Sequence, residues 1–210
     1  MKHLTYFADP MCSWCWGFAP QIERLARHVT GRLPIIVVVG GLRAGTREPM
    51  SEHLKTDLRG HWQRVASVTG QPFDMSLFSR EGFVYDTEPA CRAVVTVRDI
   101  APEATLAYLL AVQQAFYAGG RDVTDPHVLA ALAAEQGLTP AHFLERFASP
   151  AVRAAVERDF LAGPRIGVTG FPTLIAEAPG EPPHLIAAGY ARLEPYVQWI
   201  DAWLAGEPSR

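Results

Sequence analysis

Cysteine is scarce in this chain, three residues in 210, which excludes the multiply cross-linked framework of small secreted domains. An excess of charge of either sign is also missing. With 19 basic and 22 acidic side chains the net charge is −3, so there is no basic footprint for nucleic acid and no strong acidic field. No apolar run approaches the ~20 residues that cross a bilayer, and no membrane partner is expected. The longest such run, Leu33 to Gly41, reads as a buried strand. Metal ligands are not grouped: a second C-x-x-C is absent and no two of the seven histidines stand three to six residues apart, so no metal site is expected. No Ser-His-Asp constellation is apparent, and Gly40-Gly41 lacks the spacing and the lysine of a phosphate-binding loop. What remains, 49% hydrophobic and 20% charged residues, describes an ordered globular protein long enough to bury a substantial core.

Two of the three cysteines stand together. Cys12 and Cys15, in Met11-Cys12-Ser13-Trp14-Cys15-Trp16, follow the apolar run His3-Leu4-Thr5-Tyr6-Phe7-Ala8 and the turn pair Asp9-Pro10. Around and behind them Trp14, Phe18, Ile22, Leu25 and Val29 recur at helical spacing. A C-x-x-C between a strand and a helix N-terminus is a redox arrangement with a physical cause. The first sulfur lies among unpaired backbone N–H groups at the positive end of the helix dipole, which stabilises its thiolate. The second lies about one turn on, near enough to close a short, reducible ring. Redox catalysis outweighs zinc binding, which lacks two further ligands, and a structural disulfide, which so short a spacer would strain. Cys12 is therefore the expected nucleophile, partly exposed and of lowered pKa, and Cys15 the more enclosed resolving thiol.

A second signal stands about 160 residues downstream, in Ile166-Gly167-Val168-Thr169-Gly170-Phe171-Pro172-Thr173-Leu174-Ile175, where Pro172 precedes an apolar strand. Composition alone does not decide whether the Phe171–Pro172 bond is cis. The C-x-x-C opening the first helix and the Gly-x-Pro-Thr opening a later strand together resemble the thioredoxin superfamily. Within it the chain is most similar to the DsbA family, specifically its FrnE-like branch. The matching stretches are Ala8-Asp9-Pro10-Met11-Cys12-Ser13-Trp14-Cys15-Trp16-Gly17, Tyr85-Asp86-Thr87-Glu88-Pro89-Ala90-Cys91-Arg92-Ala93 and Gly167-Val168-Thr169-Gly170-Phe171-Pro172-Thr173, which span nearly the whole chain.

The resemblance implies an α/β, thioredoxin-like fold with an inserted all-helical domain. It implies a cis Pro172 against the active-site cysteines, with Phe171, Pro172 and Thr173 offering backbone to a substrate, and a kinking Pro20 inside the first helix. The implied activity is thiol–disulfide oxidoreduction or isomerisation on protein or peptide substrates, with glutathione or a thioredoxin-type protein as redox partner and no metal or organic cofactor. One departure is the dipeptide Ser13-Trp14, where strongly oxidising periplasmic members carry Pro-His and many relatives Pro-Trp. The same inserted-helix fold occurs in kappa-class glutathione transferases and 2-hydroxychromene-2-carboxylate isomerases, which typically carry serine at the Cys12 position. A non-enzymatic peptide-binding chaperone is the other rival.

Along the chain, the strand His3–Ala8, a helix from Ser13 to Val29 and the strand Pro34–Gly40 make a βαβ unit. Ile35-Ile36-Val37-Val38-Val39 is apolar without alternation, as for a strand covered on both faces. From 47 to 163 the pattern is helical. Asp125-Pro126, Thr139-Pro140 and Ser149-Pro150 each put an N-cap residue before a helix-opening proline, and Gly137 and Gly163 read as stops. Earlier helices are expected over 51–68, 87–99 and 102–118. Strands Thr173–Ala176 and His184–Ala188 and a helix from Leu193 to Leu204 complete the chain. The division is thus 1–45 with 164–210 for the thioredoxin-like part and 46–163 for the insertion.

Several residues carry a plainer reading beside the functional one. Cys91, among Ala90, Ala93, Val94 and Val97, reads as a small buried hydrophobe rather than a second redox thiol. Trp14 either faces a substrate or packs on the inserted helices, and Trp16 packs. Asp9 is a turn residue before proline more than a group tuning Cys12, and Asp86-Thr87-Glu88-Pro89 reads as a helix start. Met1-Lys2-His3 passes directly into the first strand without a separate apolar leader, and with so few cysteines a cytoplasmic location is expected.

Overall fold

The computed structural model describes residues 1–206. The first apolar run forms β1 (His3–Ala8), the pattern behind Cys12 forms α1 (Ser13–Val29), and the β-branched run forms β2 (Ile35–Val39), parallel to β1. A long helical excursion follows: α2 (Glu52–Thr69), α3 (Glu88–Ile100), α4 (Thr105–Tyr117), α5 (Pro126–Glu135), α6 (Pro140–Ala148) and α7 (Pro150–Arg165). Short 3-10 turns stand at Met75–Ser79 and Pro102–Ala104. The chain returns to the sheet as β3 (Thr173–Glu177) and β4 (His184–Ala188) and closes with α8 (Glu194–Ala205). Strand order is β2-β1-β3-β4, with β3 antiparallel to both neighbours. This is an α/β, thioredoxin-like fold with an inserted helical domain; among the described residues no strand lies between β2 and β3.

Local chemistry accounts for most of the helix ends. Ser51, Asp125 and Ser149 accept backbone N–H groups of the first turn, and the last two precede a proline whose missing N–H would have been unpaired anyway. Thr139 also precedes a proline, but its hydroxyl makes no cap bond. Two expectations need correction. Gly163 does not end α7, which continues through Pro164 to Arg165; it lies instead against Phe7 and Val168, letting the helix rest on the sheet. The stop is Gly167, with φ +82°. Nor is β2 covered on both faces: Ile36 is 42% exposed, since α7 packs on this face near Val38.

The two sheet faces differ in depth. Leu4, Tyr6, Ala8, Val37 and Leu174 enter the main core with Phe18, Ile22 and Leu25 of α1. The same apolar cluster continues into the insertion through Trp62, Phe116, Tyr117 and Phe143, so the two parts share one core. Trp62 is buried with the rings of Phe78 and Tyr117 at 4.8 and 4.9 Å. On the opposite face a small cluster of Phe7, Val168 and Ile175 packs with Val38, Ala162 and Phe171.

The outer edge of β2 is occupied by side chains. Arg98 of α3 donates to the Val37 carbonyl at 2.6 Å, and the Val39 N–H donates to Asp159 of α7 at 3.0 Å. The two side chains pair with each other at 2.7 and 2.9 Å. They supply the donor and acceptor that one residue of a further parallel strand would place opposite Val38. Asp159→Ala strips the acceptor from the Val39 N–H and from a part-buried guanidinium, so urea unfolding should report a loss of about 2–4 kcal/mol with helical content retained. A loss under about 1 kcal/mol would show that the edge is held by other contacts.

Candidate active site

Cys12 occupies the N-cap position of α1 with extended backbone, and its carbonyl accepts the Trp16 N–H at 3.0 Å. That first turn carries Cys15 to the inside, where it is fully buried. Cys12 is 6% exposed, more enclosed than the sequence suggested, because its sulfur lies against the Phe171 carbonyl and donates to it at 3.6 Å. The two thiols interact, and all three cysteines are unbridged. Burial above all, then the Cys12 sulfur, push the Cys15 thiol well above its ordinary range, while the Asp9 backbone N–H pulls the other way.

Cys12 opens onto a groove of about 610 Å³. Met11, Cys12, Trp14 and Phe171 line one side, and Leu54, Asp57, Leu58 and His61 of α2 line the other. Trp14 lines the groove and packs on the insertion, edge-on to His61 of α2 with ring centroids 6.0 Å apart. Trp16 packs, stacked on Tyr117 with its Nε1 donating to the Pro72 carbonyl at 3.0 Å. Burial, then the nearby Arg64, lower the His61 pKa, so His61 is neutral at neutral pH. Arg43, 5.6 Å from the Tyr85 ring, is the fixed cation among the lining residues.

The Phe171–Pro172 bond is cis. The Phe171 ring rests on Gly40, where a Cβ would stand 2.1 Å from it, so the glycine ending β2 is what lets this loop approach Cys12. The Pro172 carbonyl accepts the Gly189 N–H at 2.7 Å, and the Thr173 hydroxyl turns back onto the Gly170 carbonyl at 2.8 Å. Cys12, Trp14 and Phe171 therefore meet at the groove, with Cys15 directly behind Cys12 and with Pro172 and Thr173 bracing the loop from behind.

Asp9 does more than make a turn. Its carboxylate is buried and accepts the Met11 N–H at 2.8 Å, the Leu42 N–H at 2.7 Å and the Cys91 thiol at 3.5 Å. Thr87 also bonds to it and accepts the Arg43 N–H at 3.1 Å, while the Tyr85 hydroxyl donates to the Met11 carbonyl at 2.7 Å. Cys91 is thus a buried hydrophobe that also finds a polar partner. Asp86 keeps its role at the start of α3, accepting the Glu88 N–H, and also holds the Gly45 N–H. Sequence reasoning missed His61, Arg43 and Tyr6, whose side chain is fully buried with its hydroxyl unpartnered. For Tyr6 the signal was present: alternation puts it on the face of Leu4 and Ala8, under the helix that carries both cysteines.

Among the described residues no three His, Cys, Asp or Glu side chains gather as metal ligands, and no helix is long and apolar enough to cross a membrane. A family model described as a DSBA-like thioredoxin domain matches residues 3–198. The chain belongs to this DSBA-like family. A crystal structure from Nitrosomonas europaea, provisionally assigned as a protein disulfide isomerase, is 38% identical over 99% of both chains, with a TM-score of 0.89. The cytosolic disulfide reductase DsbM from Pseudomonas aeruginosa is 30% identical over 97% of this chain and 96% of its own, with a TM-score of 0.76. A further DsbM structure contains GSH. Among curated proteins the ClpXP adapter protein SpxH of Bacillus subtilis (strain 168) is 21% identical over 80% of this chain; the match covers 56% of SpxH, little more than half its length. The fold is that of the DSBA-like thioredoxin domains, shared with these disulfide-exchanging neighbours.

Burial raises the Asp9 pKa, against the opposing pull of the Leu42 and Met11 N–H groups. A carboxyl group whose folded pKa lies above its unfolded one lends stability that is complete below the ordinary carboxylate range and is lost as pH rises through the folded value. Asp9→Asn removes that titration, so its stability deficit relative to the unmodified protein should narrow as urea titrations move from about pH 4 towards neutrality. Asp9→Ala, which orphans two buried N–H groups, should cost about 2–6 kcal/mol at any pH in that window. A deficit for Asp9→Asn that widens with pH would reverse the sign of the burial effect.

Proposed function

We propose that this DSBA-like protein exchanges disulfides with protein or small-thiol substrates through Cys12 and Cys15. One observation carries the reading: Cys12 stands at the N-cap of α1 and faces the groove, with Cys15 enclosed one turn behind it. The Cys12 thiolate attacks a substrate disulfide, one S–S bond replaces another, and a mixed disulfide forms as the first substrate thiolate leaves. Cys15 then attacks Cys12, the second substrate thiol departs with the proton, and the enzyme is left oxidised. Run in reverse, the same steps oxidise a dithiol. The electrons reside in the cysteine pair, and no metal or organic cofactor takes part.

The groove combines apolar walls, Trp14, Leu54, Leu58 and Phe171, with the single guanidinium of Arg43. That chemistry suits an extended peptide segment or a glutathione-sized disulfide, with Gly170 and Phe171 as the part of the loop a substrate meets and Pro172 and Thr173 holding that loop in place. Glutathione as redox partner, and a reducing cytoplasm as the working compartment, are supported by the likeness to DsbM, a cytosolic reductase whose structure has also been determined with GSH. A complete cysteine pair, rather than a serine at position 12, favours this reading over a glutathione-dependent transferase or isomerase.

Single substitutions test it. With oxidised glutathione as probe, Cys15→Ser should accumulate a mixed disulfide on Cys12, while Cys12→Ser should form none and Cys91→Ser should behave as the unmodified protein. Acid-quenched mass spectrometry reads all three. Adducts on Cys15 in the Cys12→Ser protein, at the level seen on Cys12 in the converse variant, would overturn the assignment. A peptide-binding chaperone would keep its activity through both changes.

A further inference from the structure

Tyr6 is the one tyrosine of β1, and its side chain is fully buried, with the ring packed on Phe18 at 5.9 Å. Its hydroxyl makes no directed hydrogen bond in the dithiol state. A buried hydroxyl without a partner carries a desolvation cost that folded proteins rarely leave standing. The group it interacts with is the thiol of Cys15. Resting on the disulfide-exchange reading above, we propose that Tyr6 is a catalytic residue: its O–H donates to the sulfur of Cys15 as that sulfur becomes a thiolate and attacks the mixed disulfide on Cys12.

The chemistry of the pocket explains why such a donor is needed. Resolution requires Cys15 to carry negative charge in an enclosed place, where burial strongly disfavours it. The titratable groups around the pair are neutral or acidic. Cys12 and the Asp9 carboxylate lie on the same turn; Tyr85, Tyr117 and Cys91 face it from the insertion, and Arg43 acts on Tyr85. The Asp9 backbone N–H is the neutral group that favours charge on Cys15, and the unpartnered Tyr6 hydroxyl is the second donor we assign to it. Burial first, then the charges of Cys15 and Cys12, hold the Tyr6 hydroxyl well above the ordinary tyrosine range, so it keeps its proton throughout. The balance is simple: the Cys15–H bond breaks, the Cys12–Cys15 bond forms as the Cys12–substrate bond breaks, and the departing thiolate takes the Cys15 proton. Tyr6 ends as it began.

Oxidised glutathione serves as the probe in a single turnover of the reduced full chain, quenched with acid and read by mass spectrometry. The Cys12–glutathione adduct rises with attack and falls with resolution, so the two steps separate. Tyr6→Phe keeps the ring and removes the O–H. Attack should stay within about twofold, whereas resolution should slow about ten- to a hundredfold, with its pH midpoint displaced upward by about one to two units. Phe18→Leu, which loosens the ring contact and keeps the hydroxyl, should lower thermal stability and leave that midpoint in place. A Tyr6→Phe protein that resolves at the unmodified rate and midpoint overturns this proposal alone, as does a midpoint that moves equally in Phe18→Leu. An unmodified protein that forms no adduct on Cys12 overturns the exchange reading and this proposal with it.

Discussion

The buried carboxylate of Asp9 sets the geometry on which the rest of the site depends. Removing an ionisable group from water is costly, and the cost is tolerable only where several donors converge on it. Here they come from three stretches distant in sequence: Met11 of its own turn, Leu42 of the loop after β2, and Thr87 and Cys91 at the start of α3. A carboxylate has two oxygens a fixed distance apart, so these segments cannot drift independently. The groove floor, Cys12 with Trp14, is thereby held in register with Arg43 on one side and with the insertion on the other.

That tie explains how an all-helical excursion of more than a hundred residues can shape a groove around two cysteines. The insertion does not fold about a centre of its own; Trp62, Phe116 and Tyr117 extend the cluster that begins under the sheet. Its second contact with the cysteine-bearing turn is the stretch from Tyr85 to Cys91. Three side chains of that stretch, Tyr85, Thr87 and Cys91, all reach the turn from Asp9 to Met11. A third contact is α2, which brings His61 and Leu58 opposite Trp14.

What was legible in the sequence was local or periodic. The C-x-x-C, the cap-proline helix starts at Asp125 and Ser149, and the strands around Tyr6 and Val37 depend on residues within one turn or one alternation of each other. Fold class followed, with the help of the family resemblance. What was not legible depended on contacts across the chain. The position of Gly163 against Phe7, the seat that Gly40 makes for the Phe171 ring and the convergence of donors on Asp9 are all tertiary facts, which no window of sequence contains. Tyr6 is the instructive case, since its place on the inward face was readable and the isolation of its hydroxyl was not, because that depends on every element packed around it.

The Arg98–Asp159 pair at the margin of β2 has a consequence for how copies of this protein behave together. A bare strand margin is a template on which another extended chain can register, and native proteins guard such margins against aggregation. Here the guard is two charged side chains borrowed from α3 and α7, already satisfied by the peptide groups they cover. The helical insertion therefore acts as a chaperone in cis for the strand it follows, closing to other extended chains the margin that the sheet would otherwise offer them.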